Sequence, residues 1–186
     1  CVSTCSAWPV CAVERVAQSP TDPVPERFLH FHGLAELVFI EEGSGACFSE
    51  AGVIPFAPGT VLMVPPMAIH DFEFDHGPRR WTLLQFDAQV TDPERTLITK
   101  QAYGTSLEPR SQRRVQVLLE WLSDIIAVSQ TGRDIVVVLQ SLLLALRADF
   151  NSAGVHTQPE DNQLGRFRPY LQQAMDQPNR AISLSE

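Results

Sequence analysis

A chain of 186 residues, 44% hydrophobic and 19% charged, can bury one substantial core and has the make-up of an ordinary globular domain. Its net charge of −8 is unevenly placed: residues 1–90 carry 11 acidic and 4 basic side chains, residues 91–186 carry 11 and 10. Binding nucleic acid rests largely on neutralising phosphates with Lys and Arg, so the first half is a poor candidate for touching DNA.

Residues 1–26 mix Cys, Pro, Ser and Thr around one short apolar stretch, Cys11-Ala-Val-Glu-Arg-Val. They are expected to form an extended arm with at most one strand. Trp8 stands out on that arm, because a large aromatic there tends to dock somewhere. The four cysteines Cys1, Cys5, Cys11 and Cys47 are spaced for neither a zinc ribbon nor a CxxC redox pair. Reduced, unpaired thiols of a cytosolic protein are the expectation. No basic stretch followed by an apolar core opens the chain, so no secretory signal is visible.

From Phe28 to Phe86 the pattern is all β. Strand-like runs fall at Arg27–His32, Glu36–Glu41, Gly45–Ser49, Thr60–Val64, Ile69–Phe74 and Trp81–Phe86. Turn signals separate them: Glu42-Gly43-Ser44-Gly45, Pro58-Gly59, Pro65-Pro66 and His76-Gly77-Pro78. Short strands at this spacing predict a sandwich or barrel.

Two stretches within the β region carry chemistry. His30-Phe-His32-Gly-Leu-Ala-Glu36 places two histidines at i and i+2, which project from the same face of a strand. Gly59-Thr-Val-Leu-Met-Val-Pro65-Pro-Met-Ala-Ile-His70 offers a third histidine on another strand. Together with Glu36 these could converge inside a small barrel. Three imidazoles and a carboxylate suit zinc, iron, nickel or manganese. The same four side chains could instead line a polar pocket that hydrogen-bonds an organic ligand, or form a satisfied buried pair. Arg79-Arg80, after a Gly-Pro turn at the barrel edge, could reach an anionic effector but reads more simply as a solvent-exposed pair, and Arg110, Arg113 and Arg114 read as a solvated helix face. His76 and His156 sit in turn or linker sequence and receive no role.

The period changes after Thr91-Asp-Pro. From about Pro109, Val115, Leu118, Leu119, Leu122, Ile125 and Ile126 recur at helical steps. Thr131-Gly132 interrupts, and a second helix is predicted from about Arg133 to Phe150. Its run Ile135 to Leu146 is too short to span a bilayer. That helix is apolar on most of its circumference, which suggests either packing between the barrel and its sister helix or a homodimer interface. Residues 151–163 read as a polar linker. A further amphipathic helix begins near Leu164, with Pro169 in its first turn. Ile182-Ser-Leu-Ser-Glu186 looks like the truncated start of another element.

The paired histidine stretches resemble the two motifs of the cupin superfamily, in which the residues matching His30, His32, Glu36 and His70 are the metal ligands. Met67 stands where the second motif usually has glycine, and Phe74 where it usually has asparagine. The order of the segments resembles the AraC/XylS family of bacterial transcription regulators. The features are the histidine stretch, Gly43-Ser44-Gly45, Pro58-Gly59, Pro65 to His70, two helices, a linker and an Ile-Ser-Leu tail. The resemblance implies a mainly β fold with C-terminal helices. An arm over residues 1–26 would precede a jelly-roll-like cupin barrel over 27–103 and a two-helix dimerisation unit over 104–150. A linker over 151–163 and the truncated start of a DNA-binding domain over 164–186 would follow. It implies a cytoplasmic, non-enzymatic sensor that binds a small molecule or a divalent metal (Zn, Ni, Fe or Mn). The ligand would lie among Trp8, His30, His32, Glu36 and His70. The homodimer would form through residues 109–150, and promoter DNA would be bound only by the full-length protein. A metal-dependent cupin enzyme of the dioxygenase or isomerase type is the alternative. No membrane partner is implied.

Overall fold

The alternation read from the sequence becomes two antiparallel sheets in the computed structural model, which describes residues 2–7, 11–23, 29–91, 98, 100–128 and 132–152. The elements are β1 (Val2–Ala7), β2 (Cys11–Gln18), β3 (Ala35–Glu42), β4 (Gly45–Ser49), β5 (Gly52–Phe56), β6 (Thr60–Val64), β7 (His70–Phe74) and β8 (Arg79–Phe86). Helix α1 (Ala88–Thr91), β9 (Tyr103–Ser106), α2 (Pro109–Val128) and α3 (Gly132–Ser152) complete the order. The larger sheet runs β1-β2-β8-β3-β6-β9 and the smaller β5-β4-β7.

Side-chain parity divides the interior into two cores. On β3, Leu37 and Phe39 face the helices, whereas Val38 and Ile40 face the other sheet. β3 and β6 are therefore buried on both sides, which is why Leu37–Ile40 and Val61–Val64 read as unbroken apolar runs. The inter-sheet core adds Cys47, Ile54, Phe56, Leu62, Val64 and Phe74. Phe74 lies between Phe56 and Trp81, with ring centroids at 5.0 and 4.5 Å. An asparagine at that position would have left an amide in this aromatic stack.

The sequence expectation for residues 1–26 is corrected: the segment carries two strands, not at most one. β2 pairs with β8 from Cys11–Phe86 to Gln18–Arg79, and β1 pairs with β2. Cys11 and Val13 are buried on the helix side, so the short apolar stretch is a core strand. β1 has no apolar alternation to announce it; ladder hydrogen bonds to β2 suffice for an edge strand. Two other strands were missed. β5 contains an exposed Pro55 and lies at a sheet edge, where a missing N–H is tolerated. β9 also lies at an edge, and a Cβ on its Gly104 would meet Leu62 and Ile54 at 2.7 and 2.9 Å. Of the predicted Arg27–His32 strand, the first two residues lie outside the described residues and His30 forms a single bridge to His70.

α2 starts at Pro109, a position that needs no N–H partner, and buries Val115, Leu119, Leu122 and Ile126. α3 buries Ile135, Val138, Leu139, Leu142, Leu143, Leu146 and Phe150. Phe150 meets Tyr103 of β9 edge to face at 4.8 Å, and the Ser111 hydroxyl donates to Asp149 Oδ1 at 2.7 Å, tying the two helices. No helix among the described residues is long and apolar enough to cross a membrane. Cys11 and Cys47 are buried free thiols. Burial pushes the Cys11 thiol up to about 11, and burial with the charges of Glu36 and Asp71 pushes Cys47 up strongly. Arg79, expected in solvent, is instead 2% exposed. It donates to Gln18 Oε1 and to the carbonyls of Asp22 and Pro23, so it clamps the segment after β2.

Candidate metal centre

Glu36 shares the inward parity of Val38 and Ile40, so β3 aims its carboxylate between the sheets, 1% exposed. Its row neighbours are Val64 on β6 and Gln85 on β8. His70 opens β7 of the smaller sheet and is fully buried. Backbone hydrogen bonds join the two motifs: His30 and His70 exchange N–H···O bonds of 3.0 Å each, and Met67 N donates to His32 O at 2.8 Å. Pairing of main chain, not side-chain attraction, therefore brings the histidines together. One ligand atom from each of His30, His32, Glu36 and His70 lies within 4.8 Å of the others. The His30 ring centroid is 4.2 Å from His70 and 5.9 Å from His32.

The hydrogen bonds around these rings decide which nitrogens face inward. His32 Nδ1 lies 2.8 Å from Leu34 O and His70 Nδ1 lies 2.9 Å from Ala68 O. A carbonyl only accepts, so each Nδ1 carries the proton and Nε2 is the inward atom. His32 Nε2 sits 2.9 Å from Glu36 Oε2, and Gln85 Nε2 donates to that same oxygen at 3.1 Å. His70 Nε2 and Glu36 Oε1 are 3.5 Å apart, and both are buried without a hydrogen-bond partner. Two lone-pair atoms left facing each other in a buried site are what a cation between them would satisfy. The donor set and these orphaned atoms fit a divalent metal.

Burial alone would raise the Glu36 carboxyl. The His32 hydrogen bond, the nearby His70 imidazole and the Gln85 amide outweigh it and hold the group well below the usual carboxylate range. The Glu36 hydrogen bond raises His32, against the opposing effect of its burial. Gln85 is a site residue that no motif marks. Its signal was available: a polar residue at the inward parity of β8, in step with Trp81 and Leu83. Trp8 lies outside the described residues.

Met67 has a left-handed backbone (φ 66°), the conformation for which glycine is the usual choice. The turn takes this conformation here without glycine, with the Met67 side chain 60% exposed.

Residues 11–146 match a family model described as the AraC-like ligand binding domain. Among solved structures, the AraC-like transcriptional activator CuxR is similar over 92% of this chain and 63% of its own, with TM-score 0.52 and 8% identity. A cupin protein from Bacteroides fragilis is similar over 47% of this chain and 77% of its own, with TM-score 0.40 and 19% identity. A mutant of the oxalate decarboxylase OxdC from Bacillus subtilis covers 42% of this chain and 21% of its own, at TM-score 0.35 and 19% identity. No curated protein matches it.

Proposed function

The chain belongs to the family of AraC-like ligand-binding domains, and from that premise we propose that it is the effector-sensing and dimerisation region of a cytoplasmic bacterial transcription regulator. The observation that carries this reading is the extent of the family match, which runs through the barrel and on through α2 into α3. A site with convergent inward donors supports an effector within the barrel. The exposed apolar side chains of the helices support a homodimer. Val117, Trp121 and Val128 recur at helical steps on α2, as do Val137 and Leu144 on α3. Promoter DNA would be bound only by the longer protein. The linker at 151–163 and the DNA-binding start at 164–186, both outside the described residues apart from the end of α3, belong to this proposal.

We take a divalent metal (Zn, Ni, Fe or Mn) as the first candidate ligand, held by His30, His32, Glu36 and His70. Such an ion supplies Lewis acidity, and can anchor a carboxylate or hydroxyl of an organic effector. The chain's own groups orient the site: Leu34 O and Ala68 O fix two imidazole tautomers, and Gln85 steadies the carboxylate. Effector bound differently in two arrangements of barrel and helices would shift their populations.

Elemental mass spectrometry of the purified chain, beside a His30→Ala/His70→Ala variant, tests the ligand. Near-stoichiometric metal in the parent and its loss in the variant are expected. A folded parent that takes up no added divalent metal would overturn the metal reading and leave an organic effector as the target. The donor set alone favours a second reading, a metal-dependent cupin enzyme; turnover by the metal-loaded chain on candidate substrates would establish that instead.

A further inference from the structure

A cleft of about 220 Å³ opens between the helix-facing side of the larger sheet and α2, across the sheet from Glu36. Its apolar wall includes Phe39 and Leu119, both part of the helix-side core. Arg15 on β2 and Phe39 on β3 flank Thr82 of β8 in one cross-strand row, and all three line the cleft.

Two observations point to a ligand there. Nε of Arg15 is buried without a hydrogen-bond partner, an unfavourable state for a donor on a charged group. In addition, β3 bulges at Glu41: the pairing passes from Ile40–Trp81 to Glu42–Arg80. A bulge re-aims the extra side chain, and bulges gather near functional sites. Here it brings the Glu41 carboxylate to the Thr82 hydroxyl at 3.0 Å and to Arg80 Nε at 3.2 Å. Glu41 thus engages Arg80 and Thr82, Glu120 lies exposed on α2, and the Arg15 Nε–H is left to an outside acceptor.

We propose that this cleft is a second small-molecule site, which takes a short aliphatic monocarboxylate with its head on Arg15 and its chain against Phe39 and Leu119. A charge-assisted bond from a guanidinium is the natural seat for one carboxylate. Glu41 and Glu120 flank the cleft, so a second negative charge on the ligand is repelled. The volume corresponds to about seven waters at ~30 Å³ each, enough for an acid of hexanoate's size. The site lies between barrel and α2, so its occupancy bears on how that helix seats, independently of the histidine centre.

The test is a methyl-NMR titration of the whole chain with hexanoate, hexanamide and adipate, following Val16 and Leu119, with Ile54 as reporter of the inter-sheet core. Hexanoate is expected to shift Val16 and Leu119 saturably and leave Ile54 in place. Hexanamide and adipate should bind about ten-fold or more weakly, the loss typical of a missing charged hydrogen bond or an added repulsion. Arg15→Met should lose hexanoate binding while an unchanged Ile54 signal reports an intact fold. Gln116→Trp, at the exposed rim on α2, should block the cleft without touching the core. Equal binding of hexanamide, retained binding in both variants, shifts confined to Ile54, or no saturable shift at millimolar hexanoate would each overturn the proposal.

Discussion

Glu36 shows how a buried carboxylate is kept charged. Among the described residues neither Lys nor Arg pairs with it, so its ionised form depends on His32, His70 and Gln85. Gln85 is the one of these that is neutral at every pH, and it touches the carboxylate, not the proposed ion. Gln85→Leu should therefore keep the fold and weaken metal binding about 10- to 100-fold, the usual effect of losing a group that orients a ligand. A competition titration against a metal-binding dye measures it; unchanged affinity would show that the amide does not steady the carboxylate.

The same residues set a pH dependence whose sign differs between the metal-free and metal-loaded chain. In the metal-free protein His32 is raised above its ordinary 6.5, so its bond to Glu36 stabilises fully below that value and fades as pH rises through the folded one. Glu36 is held below its ordinary 4.5, so its contribution is present above 4.5 and is lost as pH falls through the folded value. Stability of the metal-free chain from these two groups should thus be greatest between 4.5 and 6.5. Metal ligation reverses the trend on the alkaline side, since protons compete with the ion and binding tightens as pH rises. Melting temperatures with chelator should fall above neutral pH, and with metal should rise over the same range. A His32→Gln variant should flatten both alkaline slopes.

At the scale of elements, the turn from β6 to β7 carries the clearest local conflict. Met67 adopts a left-handed conformation that disfavours any side chain by roughly 1–2 kcal/mol. Glycine removes that strain but frees the unfolded chain, so Met67→Gly should stabilise by a modest amount, about 1 kcal/mol at most. Denaturant melts would measure this, and a clear destabilisation would mean that the thioether makes contacts that outweigh the strain. Little of this turn could be judged from composition. Pro65-Pro66 announces a turn, but the bond that holds its next residue, Met67 N to His32 O, comes from a distant segment.

For the whole molecule, the layers are helices, larger sheet and smaller sheet, with one apolar core on each face of the larger sheet. Most of the apolar circumference of α3 is used inside the chain, and what remains outside is a stripe on each helix. Trp121 is half exposed on α2, and an aromatic of this size is the typical anchor of an interface. If the homodimer forms there, Trp121→Asp should raise its dissociation constant by more than about ten-fold, as hot-spot losses of ≥2 kcal/mol imply. Sedimentation equilibrium would read it, and an unaltered constant would move the interface elsewhere. The two kinds of element were legible in the residues alone, because alternation and helical steps are local properties of the chain, whereas the gathering of His30, His32, Glu36 and His70 needed the pairing of distant backbone. Gly45–Ser49 and Thr60–Val64 fall where that alternation put them. Tertiary structure alone decided that β1 and β2 extend the barrel sheet, that Arg79 is buried and that Gln85 reaches Glu36. Edge pairing and burial depend on which distant strand arrives alongside, and a strand's own residues do not encode its neighbour.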